Sequence, residues 1–172
     1  MNNIFLEFAL ILLEVQQSNV MKYIEHNRVN FVCAKAPYKE EAIEKAEKKL
    51  GFSIHNKLKA ILMKYGDIYD KTTGGGLCPF MSATEKDMIK CTLFLRKTYP
   101  FFKSGDFLLI AKNKTHEGGN LIFMCPKGNV FHADLKDMDD KIYSQRFTFE
   151  DLEVEELGSL SEFLMKEVFR AK

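Results

Sequence analysis

Cys125, His132 and Asp134 bring a thiol, an imidazole and a carboxylate into one short stretch of this chain. They flank Lys127-Gly128-Asn129, which reads as a tight hairpin turn, so Cys125 and His132 would face each other loosely across two strands. That is the residue set of a cysteine hydrolase, with Asp134 as the group that orients the imidazole. A nucleophilic thiolate also needs an electropositive, partly exposed setting and an oxyanion hole, and the neighbouring sequence offers neither. The expectation is a buried thiol beside ordinary polar strand residues, with no catalytic group. His132 and Asp134 alternate on one strand face, and with His116 in a nearby loop they could ligate a metal. Polar strand residues explain them as well, and no metal or other cofactor is expected.

A second kind of chemistry is recognition. The loop around Gly74-Gly75-Gly76 lacks the Gly-Lys-Ser/Thr of a phosphate-binding loop, and no apolar strand precedes it. It reads as a flexible connection that could serve as a contact loop, to which Asp67, Tyr69 and Asp70 would add polar and aromatic groups. The run Asp134, Asp137, Asp139 and Asp140 lacks the glycine and closing glutamate of a calcium loop. Placed at a hairpin end, it would offer carboxylates to a basic partner. These seven residues are the candidate protein-binding groups.

Local pattern says which elements must carry them. Arg28 to Cys33 alternates as a short strand, and Pro37 suits a first helical turn. Ile43, Ala46 and Leu50 recur at helical spacing with Gly51 behind them, which predicts a helix near 37–50. Ser53 can cap a second, near 54–65, with Leu58, Ile61, Leu62 and Tyr65 on one face. Asp67 to Pro79, with its three glycines, reads as a loop. The capping box Ser82-Ala83-Thr84-Glu85 opens a third helix, near 83–98. After Pro100 the period changes to that of strands: 107–111, 121–125 and 130–134, with 142–149 a fourth. A second capping box, Ser159-Leu160-Ser161-Glu162, opens the last helix, near 159–170, with Leu160, Phe163, Leu164 and Val168 inward. Helices, then strands, then a helix is α+β order. The simplest solution is a largely antiparallel sheet of four to six strands, covered on one face by helices. Leu58, Ile61, Leu62, Phe163 and Leu164 should share one core.

Composition limits the function. A hydrophobic fraction of 46% and an aromatic fraction of 12% are globular values, and 172 residues without a linker or repeat read as one domain. The net charge of +1 hides an asymmetry: residues 35–114 carry sixteen Lys/Arg against nine Asp/Glu, whereas 134–167 carry four against eleven. The basic residues are scattered and have no arginine cluster, which speaks against a nucleic-acid partner. An acidic face formed by 134–167 would attract a basic protein. Four cysteines without CxxC spacing read as reduced thiols, and so as a cytoplasmic chain. The apolar run Ile4–Leu13 has no positive flank, is interrupted by Glu7, and is too short to span a bilayer. It reads as a buried helix or a dimer contact, and Met21 is an alternative start to Met1.

Taken in order, these pieces resemble a known family. Ile43-Glu44-Lys45-Ala46-Glu47-Lys48-Lys49-Leu50-Gly51 and a helix closing on Lys64-Tyr65-Gly66 are similar to the opening of the SUKH superfamily. The strand pair Gly119–Met124 and Gly128–Asp134 and the closing helix from Leu157-Gly158-Ser159 follow in the family's order. The resemblance covers about residues 40–166 and leaves 1–35 as an N-terminal extension of a helix and a strand. It implies a non-catalytic adaptor: a bacterial immunity protein that binds and neutralises a polymorphic, often nuclease, toxin domain. The alternatives are a regulatory module of the same fold without a toxin partner, as in the related fungal cell-wall regulators, or a ligand binder or enzyme using Cys125, His132 and Asp134.

Overall fold

A computed structural model describes residues 19–27, 31–33, 37–71, 76–82, 87–98, 102, 105–115, 118–134 and 154–170. The expected strand at 142–149 and the acidic residues Asp137, Asp139 and Asp140 lie outside them, as do residues 1–18.

The helices form where apolar residues repeat at helical spacing. α1 (Asn19–His26) buries Val20, Met21 and Ile24. α2 (Glu40–Leu50) buries Ile43, Ala46 and Leu50 and ends on Gly51, whose φ of 79° lets its N–H reach back to Glu47 O at 2.8 Å. Pro37 lies ahead of this helix rather than in its first turn. α3 (Asn56–Tyr65) buries Leu58, Ala60, Ile61, Leu62 and Tyr65. The two helices are locked by Glu47, whose Oε1 accepts from Ile54 N and from Lys59 Nζ, both at 2.6 Å.

The cap of α3 is a correction. His55, not Ser53, closes the helix, its Nδ1 accepting from Lys57 N at 3.3 Å. The other side of the imidazole covers Gly128, where a Cβ would stand 2.6 Å from Nε2, and Gly128 has a φ of 94°. Only glycine meets both demands, so the ring ties the start of α3 to the strand hairpin. Burial, and next the charge of Lys57, hold the His55 pKa below its ordinary value. A His held neutral in the fold favours the native state above the unfolded-state pKa, and that contribution is lost as pH falls through the lower folded pKa. Unfolding free energy is therefore expected to drop more steeply between pH 7 and 5 in the wild type than in His55→Asn, which keeps a cap without titrating. Parallel slopes in urea melts at several pH values would contradict this.

The main sheet is antiparallel, in the order β3 (Leu108–Thr115), β4 (Gly118–Met124), β5 (Asn129–Asp134) and β6 (Val154–Ser159). Its fourth described strand is Val154–Ser159, which shows no clean alternation and was not expected. A two-stranded ribbon stands apart from it: β1 (Phe31–Cys33), where a strand was expected, pairs with β2 (Ile68–Asp70), which lies within the stretch expected to be loop. Gly76 bridges to Tyr69, and a Cβ there would lie 2.7 Å from Ile68 O, so this glycine is required by close approach.

Side-chain alternation gives the sheet two apolar faces, and both are covered. Ile122, Met124 and Val130 join the large core with α1, α2 and α3. Leu109, Leu121, Phe123 and Ala133 join a second cluster with Cys91, Leu95 and Phe102. The expectation of one covered face is thus corrected. The element that links the two is α4 (Met88–Thr98), which places Met88 and Ile89 in the first core and Cys91 and Leu95 in the second. It lies beside the edge strand β3, where a bulge leaves Ile110 without a strand partner. Leu109 N donates to Thr92 Oγ1 at 3.0 Å and Ile110 O accepts from Cys78 N at 2.8 Å, so the edge is closed by neighbours.

The chain closes with the expected capping box: Ser159 Oγ accepts from Glu162 N, and the Glu162 carboxylate accepts from Ser159 N at 2.8 Å. α5 (Leu160–Phe163) then widens into a π turn, Leu164–Val168. The wider turn rotates Glu167 outward and lets Val168 and Phe169 both face the core, where Phe169 stacks on Tyr23 at 5.5 Å. Leu58, Ile61, Leu62, Phe163 and Leu164 do share one core.

Candidate functional site

The hairpin register decides the fate of the cysteine–histidine pair. Cys125 N donates to Asn129 O at 3.0 Å, closing the turn, so Met124 faces Val130 and Ile122 faces His132. Cys125 is three residues beyond Ile122, about 10 Å along the strand direction. The expected facing of Cys125 and His132 is therefore corrected. His132 instead sits 3.5 Å, Nδ1 to Oε2, from Glu155 on β6. Asp134 ends β5 opposite Asn120, which is not a position that orients the ring toward Cys125. Among the described residues no three His, Cys, Asp or Glu side chains are grouped to hold a metal ion.

The candidate loop residues separate as well. Asp67 and Asp70 are buried, at 4% and 2% exposure, while Tyr69 is 46% exposed; Ile68, Tyr69 and Asp70 alternate as a strand, and Asp67 lies just before it. Asp67 turns inward to a specific task. Its carboxylate accepts from Phe80 N at 2.8 Å and from the Tyr38 hydroxyl at 3.0 and 3.1 Å. Burial pushes the Tyr38 phenol up to about 12, and the nearby Asp67 charge adds to the shift, so the hydroxyl stays protonated and donating at neutral pH. Tyr38 Oη in turn accepts from Met81 N at 3.3 Å.

A second buried carboxylate completes this clasp. Asp87 Oδ1 accepts from Lys90 N at 2.7 Å, which makes Asp87 the residue that caps α4, and Oδ2 accepts from Ser82 N at 3.1 Å. The helix starts at Met88, not near 83, and Ala83, Thr84 and Glu85 of the expected capping box lie outside the described residues. Leu77 N reaches Ile68 O, and Met88 N reaches Pro79 O at 2.8 Å. The irregular stretch 77–82 is thus held by backbone and carboxylate acceptors along its length, and Gly76 just before it bridges to Tyr69. Sequence reasoning missed Asp87 because Ser82-x-x-Glu85 offered a stronger local signature. Tyr38 carried no local signal, since its partner is 29 residues away.

What this arrangement can do is present a surface. Tyr69 is exposed on β2, and Asp134 begins the acidic stretch at the end of β5. No helix among the described residues is long and apolar enough to cross a membrane.

A model of the SMI1 / KNR4 family (SUKH-1) matches residues 37–166. That span starts just before α2 and ends inside the π turn, so it takes in the helix pair, the clasp, the whole four-stranded sheet and the capping box. No curated protein matches the chain.

Proposed function

This chain belongs to the SMI1 / KNR4 family (SUKH-1), and on that premise we propose that it is a cytoplasmic, non-catalytic immunity protein that binds a toxin domain and masks it. The observation that carries the reading is the family match over three quarters of the chain. The non-catalytic part is supported by the hairpin register, which separates Cys125 from His132 by about 10 Å and leaves no nucleophile–base pair there. The thiols of Cys91 and Cys125, which form no disulfide, suit a reducing compartment.

The binding surface in this reading combines Tyr69 with the acidic stretch Asp134, Asp137, Asp139 and Asp140. An exposed aromatic is the kind of anchor that interfaces use, and the carboxylates of the acidic stretch would act as rim charges on a basic toxin. Asp67 contributes from inside, as the acceptor for Phe80 N and the Tyr38 hydroxyl, and Asp70 is buried beside it.

The test begins with the reading frame upstream. The C-terminal domain of a large secreted protein encoded there should arrest growth when expressed alone and be neutralised by this chain. Failure of the chain to restore growth would overturn the reading. Changing Asp137, Asp139 and Asp140 together to Asn is expected to slow association with that domain by about tenfold at low salt and to flatten its salt dependence, because rim charges act on encounter rate. Stopped-flow rates that are unchanged in the triple variant would remove the acidic stretch from the interface.

A further inference from the structure

We propose that His55 is a proton-operated latch: the neutral ring holds the start of α3 against the β4–β5 turn, and the protonated ring lets that junction open while the rest of the fold stays in place. The latch works whichever partner the chain binds. Ser, Thr and Asn cap a helix at any pH, whereas an imidazole caps only through a nitrogen that carries no proton. Nδ1 of His55 is that nitrogen, and it accepts from Lys57 N at 3.3 Å. With protons on both ring nitrogens a donor would face a donor, and the cap is lost. The new charge would also sit at the positive end of the α3 dipole.

Three segments meet at this ring. On one side is the first turn of α3. On the other the ring lies so close over Gly128 that a Cβ there would stand 2.6 Å from Nε2 and 2.8 Å from Cε1. Gly128 N donates to Cys125 O at 2.9 Å within the turn, and Gly128 O accepts from Leu160 N, the first residue of α5, at 3.1 Å. A ring that swings out therefore uncovers the glycine that ties the hairpin to the closing helix. Water is near, because His55 is only partly buried.

The carboxylates next to these contacts are already engaged and cannot hold an imidazolium in place. Glu47 on α2 is bonded to Ile54 N and Lys59 Nζ, Glu162 on α5 to Ser159, and Glu156 on β6 to Asn129 Nδ2. The other charges at the junction, Lys57 on α3 and Lys127 in the turn, are exposed cations. Burial, and next the charge of Lys57, hold the His55 pKa below its ordinary value, so the latch is closed at neutral pH. The closed junction is fully favoured above the unfolded-state pKa, and that preference fades as pH falls through the lower folded pKa.

The experiment is amide hydrogen exchange by NMR on the full chain between pH 7 and 5, with rates referred to the intrinsic rate at each pH, and with the ring-nitrogen shifts of His55 followed alongside. In the wild type the amides of Gly128 and Leu160 should be less protected than that of Phe123 on β4 at every pH, because they open locally. Their protection should fall about fivefold across the range, the worth of one N-cap, with its midpoint at the titration of the His55 ring. At pH 7 the ring should carry its proton on Nε2. His55→Asn keeps a cap that does not titrate, and the fall should vanish in it. Protection that does not change with pH, an equal fall in His55→Asn, protection equal to that of Phe123, or a proton on Nδ1 at pH 7 each overturns the proposal. The wild-type midpoint and tautomer decide the matter even where His55→Asn does not fold.

Discussion

Replacing Phe163 by alanine is expected to lower the unfolding free energy by about 3–5 kcal/mol, the cost of deleting a buried ring and leaving a cavity. Phe163 is 1% exposed and sits in the large core with Leu58, Ile61 and Leu62 of α3 and with Met124 and Val130 of the sheet. It is also the last residue of α5 before the π turn, so its neighbours are held from both directions and have little freedom to close the gap. A urea melt of Phe163→Ala should show the midpoint falling with little change in slope. A loss below about 1 kcal/mol would mean that the ring contributes no packing where the structure puts it.

The second large effect is expected at Asp67. Asp67→Ala removes the acceptor for Phe80 N, a donor on a fully buried residue, and one acceptor for the Tyr38 hydroxyl. Leaving buried donors without partners costs about 1–3 kcal/mol each, and Tyr38 keeps Met81 O at 3.2 Å as a substitute, so the loss should come to about 2–3 kcal/mol. Tyr38→Phe removes the donor to Asp67 together with the acceptor for Met81 N, and should cost about 1–2 kcal/mol. The two losses should add to more than that of the double variant, because one contact is counted in both. Strict additivity in urea melts would show that the two side chains do not interact.

Much of the candidate surface is legible only as composition. The acidic stretch 134–140 can be read off the chain because charge needs no neighbours to be recognised. The direction in which Asp67 and Asp70 point cannot. Both looked like loop carboxylates beside three glycines, and both turn inward because Ile68–Asp70 pairs with a strand more than thirty residues earlier. A residue's role as an internal acceptor depends on which donors the fold delivers to it, and Tyr38 and Phe80 arrive at Asp67 from separate segments.

By itself the sequence determined the parts whose energetics are local. Helical spacing of Ile43, Ala46 and Leu50, the left-handed stop at Gly51, the hairpin turn at Lys127–Asn129 and the box at Ser159–Glu162 each close within a few residues, and each is where the pattern put it. Their order along the chain was enough to carry the family resemblance. Tertiary structure decided everything that depends on register or on distant partners. One hydrogen bond, Cys125 N to Asn129 O, sets the strand pairing, and with it the separation of Cys125 from His132. The bulge at Ile110 lets α4 close the sheet edge, which buries one side of that helix and leaves Phe94 outside. Periodicity records which side chains prefer to leave water, but long-range packing chooses which of them succeed, because the contacts that reward burial come from elements the local pattern cannot see.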